Sequence, residues 1–130
     1  MALFDNLDLP DNANMRAVKG YLQAQADKDF SAATEFFSED VDFVGLILKA
    51  AGRDVVAGEM SKFINMAIDH IRIEAIAPVS EDRVMALYWF KLKPAAEPQI
   101  LCDHITLKDG KISRIENIFD VSKIPPMPGM

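Results

Sequence analysis

The chain has 130 residues, half of them apolar and about a quarter charged, which fits one globular domain with one core and excludes a disordered segment. Fourteen Lys and Arg against 20 Asp and Glu leave a net charge of −6, so a nucleic-acid partner, which needs clustered cations, is not expected. One cysteine cannot form an internal disulfide, the apolar runs fall far short of the roughly 20 residues that cross a bilayer, and the start Met1-Ala2-Leu3-Phe4-Asp5 lacks the basic and apolar regions of a signal peptide, so a cytoplasmic protein without a membrane partner is expected.

Residues 1–13 mix Leu3, Phe4, Leu7 and Leu9 with Asp5, Asp8, Pro10 and Asp11 in no sustained period and read as an irregular arm. From Asn14 to about Asp27, Met15, Val18, Leu22 and Ala26 recur at helical spacing behind the capping residues Asp11 and Asn12. Asp29 to Phe37 reads as a short second helix carrying Phe30, Ala33 and Phe36-Phe37 inward. Val41 to Val44 and Leu46 to Lys49 read as a strand pair, or as one strand bent at Gly45. Asp54 to Ala67 places Val55, Val56, Met60, Phe63, Ile64 and Ala67 on one broad face of a third helix.

The period then changes. His70 to Val79, Arg83 to Lys93, Gln99 to Lys108 and Lys111 to Val121 are β-prone, and Asp109-Gly110 between the last two is a hairpin signal. Residues 122–130 form a Pro-rich tail that can neither pair in a sheet nor continue a helix. Helices followed by a strand meander predict an α+β domain over 14–121, with three N-terminal helices packed on a bent antiparallel sheet. Val84, Ala86, Tyr88 and Phe90 face one side of their strand while Met85, Leu87 and Trp89 face the other. Both sides therefore carry large apolar groups, and a homodimer through the outer sheet face would cover the second.

Three segments stand in the order of a known superfamily: Tyr21-Leu22-Gln23-Ala24-Gln25-Ala26-Asp27-Lys28-Asp29, Ala51-Gly52-Arg53-Asp54-Val55-Val56, and Lys108-Asp109-Gly110-Lys111-Ile112. Over residues 14–121 the chain resembles the nuclear-transport-factor-2-like superfamily, and within it the SnoaL-like branch of polyketide cyclases, whose cousins are steroid ketoisomerases, limonene epoxide hydrolases and scytalone dehydratases. The resemblance implies a cone-shaped, cystatin-like fold with an apolar pocket inside and a dimer interface outside. It sets Tyr21 at the steroid isomerases' oxyanion-hole tyrosine, His104 at their oxyanion-hole aspartic acid, and about Gly45 at the place of their base. By the same resemblance, the histidine and aspartate that face the pocket of SnoaL-like cyclases correspond to His104 and Asn117.

Alternation along Ile100 to Thr106 puts Cys102 and His104 on one face and Leu101, Asp103 and Ile105 on the other; with His104 inward, Asp103 faces out. A pocket histidine suits proton transfer near neutrality, although a hydrogen-bonded polar group without chemistry is the plainer account. Asn117 could orient His104 or a ligand carbonyl, or simply bridge strands. Tyr21 shares a helix flank with Val18 and Gln25 and could donate to an oxyanion, or pack with a wet hydroxyl. Phe43, Met85, Leu87, Trp89 and Phe119 would line the cavity wall, with Cys102 beside them but poorly placed as a nucleophile. Asp42, His70 and Asp120 read as surface groups. Two distant histidines offer no metal site, and the absence of a glycine-rich phosphate loop implies no cofactor.

Together these features predict a pocket protein for a small apolar molecule. Its expected chemistry is cofactor-independent proton transfer on an apolar carbonyl or polyketide-like compound by an isomerase, cyclase or dehydratase, with His104, Tyr21 and Asn117 catalytic. Non-catalytic binding of an apolar metabolite and a dimeric protein-interaction module are the alternatives.

Overall fold

The computed structural model describes residues 3–5, 7–46, 48–92 and 98–120, and for 63–69 and 92 the backbone alone. Helix α1 spans Ala13–Ala26 and starts where the Asn12 side chain accepts the Met15 amide at 2.8 Å, an N-cap that satisfies one of the helix's free donors. It buries Met15, Ala17, Val18, Tyr21, Leu22, Ala24 and Gln25. The expected second helix is a 3-10 helix, Phe30–Phe36, because its two inward groups, Phe30 and Ala33, are three residues apart and align on the tighter three-residue turn. Phe37 already belongs to the sheet.

Strands β1 (Phe37–Val44) and β2 (Lys49–Ala51), helix α2 (Arg53–Ala67), and strands β3 (Ile68–Ser80), β4 (Arg83–Leu92), β5 (Gln99–Lys108) and β6 (Lys111–Ile118) complete the chain, so two strands separate the second and third helices. The Gly45 amide donates to the Leu48 carbonyl at 2.8 Å, which turns β1 back into β2. Asp109 and Gly110 both adopt positive φ, 54° and 77°, as the two-residue hairpin turn between β5 and β6 requires.

The sheet order is β2-β1-β6-β5-β4-β3. It is mixed rather than wholly antiparallel, because β6, last in the meander after α2, docks parallel to β1; a helical crossover makes such a pairing possible. Register shifts in the β1/β6, β3/β4 and β5/β6 pairings are bulges, which add bend and twist and curl the sheet.

The inner face carries Val41, Phe43, Val84, Ala86, Tyr88, Phe90, Leu101, Ile105, Leu107, Ile112 and Ile115, all buried with α1 and the 3-10 helix. Burying each large side chain is worth about 1.5–3 kcal/mol, so the face with more of them wins the interior. Tyr21, Phe30 and Phe37 form an aromatic trio with ring centroids 5.7–6.0 Å apart. In the arm, Leu3, Phe4, Leu7 and Leu9 pack half-buried against the core. The side chains of Phe63, Ile64 and Ala67 and the tail 122–130 lie outside the described residues. Among the described residues, no helix is long and apolar enough to cross a membrane.

Candidate active site

Strand β5 turns the opposite face inward from the one expected. Leu101, Asp103, Ile105 and Leu107 are buried, while Cys102, His104 and Thr106 are half-buried and Ile100 is exposed. Three large aliphatic groups on the Asp103 face outweigh one carboxyl, provided that the carboxyl finds partners inside.

It finds three. The Tyr88 hydroxyl donates to Asp103 Oδ2 at 2.7 Å, the Tyr21 hydroxyl to the same oxygen at 3.1 Å, and Asn117 Nδ2 to Oδ1 at 2.6 Å. Asn117 stands directly across from Asp103 in the β5/β6 ladder, and Tyr88 is its diagonal neighbour in β4, where Ala86 is opposite Asp103 and Tyr88 is opposite Leu101. Tyr21 reaches in from α1. Behind them, Gln25 Nε2 donates to the Tyr88 hydroxyl at 3.3 Å. Asp103 and Tyr21 are 0% exposed and Tyr88 is 1%.

Among the described residues, the hydrogen-bonded partners of the Asp103 carboxyl are neutral. Burial pushes its carboxyl up to about 6, against the opposing pull of the bonds from Tyr88, Asn117 and Tyr21. Burial, and then the neighbouring Asp103 charge, raises both phenols well above the usual tyrosine range, so they remain donors. A carboxyl poised near neutrality among locked donors can take or return a proton, and the donors can hold an oxyanion.

The structure thus gathers Tyr21, Gln25 and Asn117 around Asp103, with Val18 and Phe43 buried in the same core. Five expected pocket residues lie instead on the outer face: His104, Cys102, Met85, Leu87 and Trp89, joined by the pairings Met85 with His104 and Leu87 with Cys102. The reason is the same alternation that buries Asp103 and Tyr88. His104 Nδ1 lies 3.1 Å from Glu116 Oε1, and this hydrogen bond is the main influence that lowers the Glu116 carboxyl. Burial raises the Cys102 thiol, with a further push from Asp103. Trp89 lines an outer cleft of about 330 Å³ with His70, Arg72, Phe90 and Pro98, and the Arg72 guanidinium lies 5.8 Å from its ring. Phe119 is half-buried, edge-to-face with Phe90 at 5.8 Å. Asp42 pairs with Arg114 at 2.7 Å on the outer side.

Sequence reasoning missed Asp103 and Tyr88. The aliphatic set Leu101, Ile105 and Leu107 was the signal for the first, since it marks the Asp103 face as the apolar one. Among the described residues, no group of three or more His, Cys, Asp or Glu side chains could hold a metal.

Residues 18–115 match the model of the SnoaL-like domain. No curated protein matches the sequence. Among solved structures, a protein from Kribbella flavida is similar with a TM-score of 0.76 at 18% identity, covering 87% of this chain and 91% of its own. TerC co-crystallised with polyporic acid gives 0.70 at 19% identity over 85% of this chain and 94% of its own. An LEH-like epoxide hydrolase from M. tuberculosis gives 0.70 at 18% identity, covering 85% of each chain. At these identities the likeness establishes a shared curled α+β fold.

Proposed function

Since the chain belongs to the SnoaL-like domain family, we propose that it is a small-molecule pocket protein in which Asp103 moves a proton on an apolar carbonyl or polyketide-like compound. The reaction class is that of a cofactor-independent isomerase, cyclase or dehydratase. The carrying observation is the wholly buried Asp103, ringed by two phenols and an amide and raised to about 6. The resemblance set His104 at the place of the steroid isomerases' oxyanion-hole aspartic acid; here an aspartic acid, Asp103, stands beside Tyr21 one position earlier.

In this reading the ionised Asp103 takes a proton from carbon next to the ligand's carbonyl, leaving a protonated carboxyl and a negative charge on the ligand oxygen. Once protonated, the carboxyl releases its hold on the two phenol protons, and Tyr21 and Tyr88, kept neutral, turn them toward that charge before the carboxyl returns its proton elsewhere on the ligand. Asn117 fixes the carboxyl's orientation through Oδ1. The co-crystal of TerC with polyporic acid supports a small organic ligand for this fold. The test is turnover across a panel of carbonyl and polyketide-like compounds with the wild type and with Asp103→Asn. Loss of turnover in a folded variant supports the assignment, and unchanged turnover removes it.

Two observations favour a second reading, non-catalytic binding of a small apolar metabolite. Both oxygens of Asp103 are already engaged by protein donors, and position 45 holds glycine, which has no proton to move. Ligands that raise the unfolding temperature without being converted would select it.

The partner proposed for the outer face is a second copy of the chain. Met85, Ile100 and Ile118 are 38%, 42% and 56% exposed there, beside half-buried Leu87, Trp89 and Cys102. The bordering row Asp42, Arg114, Glu116 alternates in sign, as a surface that meets its own image can accommodate. Sedimentation should give a dimer that Ile100→Glu with Ile118→Glu converts to monomer; a monomeric wild type removes the proposal.

A further inference from the structure

We propose that Gln25 is a positioning residue for Asp103, acting through Tyr88: its amide donates to the Tyr88 oxygen, commits the Tyr88 proton to Asp103, and so sets the proton affinity of the carboxyl from two groups away. The inference rests on the reading of Asp103 as the proton-carrying group, and it concerns what tunes that group.

The geometry contains a choice that distances resolve. Beside the Tyr21 oxygen, the one hydroxyl proton of Tyr88 has Asp103 Oδ2 within range at 2.7 Å and Gln25 Oε1 at 3.5 Å. A short bond to a carboxylate is about twice as strong as a neutral one, and 3.5 Å is at the outer limit for a hydroxyl donor. The proton therefore belongs to Asp103. Tyr88 is left with free lone pairs, and Gln25 Nε2 supplies a donor to them at 3.3 Å. The bonds run in one direction, Gln25 to Tyr88 to Asp103, and hydrogen bonds in such a row polarise one another, so the first strengthens the second. Consistent with this sense, Gln25 pulls the Tyr88 proton affinity down while burial pushes it up.

Of the other donors to Asp103, Asn117 has no such support among the described contacts, whereas Tyr21 lies within reach of the Tyr88 hydroxyl, which pulls its proton affinity down. The groups facing its carboxyl are Tyr21 from α1, Tyr88 from β4 and Asn117 from β6, and among the described residues no lysine, arginine or histidine bonds it. Gln25 is itself 4% exposed, so water does not substitute for its amide. A buried glutamine one turn from Tyr21 on the same helix is costly unless bonded, and the bond that it makes is this one.

The experiment is a carbon-13 titration of the Asp103 carboxyl in the ligand-free full chain, comparing wild type with Gln25→Met, which keeps the length and removes the amide. The midpoint should rise by about half a pH unit, a roughly threefold gain in proton affinity. In a Tyr88→Phe background the same substitution should leave the midpoint unmoved, because the route to Asp103 is cut. An unchanged or lowered midpoint in Gln25→Met overturns the proposal, as does a shift that persists without the Tyr88 hydroxyl. Gln25→Leu serves in the same way if the methionine variant fails to fold. The measurement needs no substrate: a shift without turnover in any assay leaves this inference standing while the catalytic reading falls, and turnover with an unmoved midpoint does the reverse.

Discussion

Tyr21 and Asp103 lie 82 residues apart in sequence, and the hydroxyl of one donates to the carboxyl of the other at 3.1 Å inside the core. Helix and sheet are joined there by a polar contact in otherwise apolar surroundings. Replacing the phenol with Phe leaves Asp103 Oδ2 with Tyr88 alone. Tyr21→Phe should therefore lose about 1–2 kcal/mol near pH 8, where the carboxyl is charged, and less near pH 4.5. Urea unfolding at the two pH values reads the difference; equal losses would mean that the bond does not serve the charged form.

Asp103 itself imposes a pH dependence on stability. Its carboxyl rises from an ordinary 3.8 to about 6 on folding, so the folded chain holds this proton more tightly than the unfolded one. Its contribution is whole below about pH 4 and is lost as the pH climbs through about 6, a span worth roughly 3 kcal/mol. Asp103→Asn should flatten the stability profile across that window in denaturation midpoints. A variant that keeps the wild-type slope would assign the dependence to other groups.

His104→Ala tests the exchange of faces along β5. The imidazole bonds Glu116 on the outer side, so its removal should leave core stability within about 0.5 kcal/mol and ligand binding intact. The Glu116 carboxyl should titrate higher once its main hydrogen bond is gone. Loss of ligand binding in a dimeric, folded His104→Ala protein would contradict the placement.

At Gly20 the usual helix rule reverses. An added Cβ would sit 2.2 Å from the Phe36 ring, so the glycine exists to let that ring approach α1. Alanine normally gains about 1 kcal/mol over glycine within a helix; here Gly20→Ala should lose about 1–3 kcal/mol by overpacking. Thermal unfolding should show Phe36→Leu recovering part of that loss in the double variant.

Most of the fold was legible because it rests on local signals. The spacing of Met15, Val18 and Leu22 marked α1 to within a residue at each end, and the bounds of β5, Gln99 to Lys108, were read correctly because Pro98 and Asp109-Gly110 punctuate it. The parallel seating of β6 beside β1 was not legible, because it is decided by packing between segments distant in sequence. The site was half legible. Tyr21, Gln25 and Asn117, named from the sequence, gather around Asp103, whereas β5 offers adjacent Asp103 and His104, and the alternation that buries one turns the other outward. A histidine is the more familiar interior proton carrier, but the aliphatic company of Asp103 decided the matter. On β4, large apolar groups on both faces left the choice to the partners across the sheet.

The turn at Asp109-Gly110 reaches further than the two strands it joins. It fixes Lys108 opposite Lys111, which would by itself bring Glu116 across from Asp103; the bulge between Thr106 and Leu107, which leaves Ser113 out of the ladder, advances the register by one so that Asn117 stands there. One residue inserted at that corner would deliver Glu116 or Ile118 to the carboxyl instead, swapping a neutral donor for a second acid or for grease. The length of a surface loop thereby governs the acidity of a group sealed in the interior, and diversification in this family can alter inner chemistry without touching an inner residue.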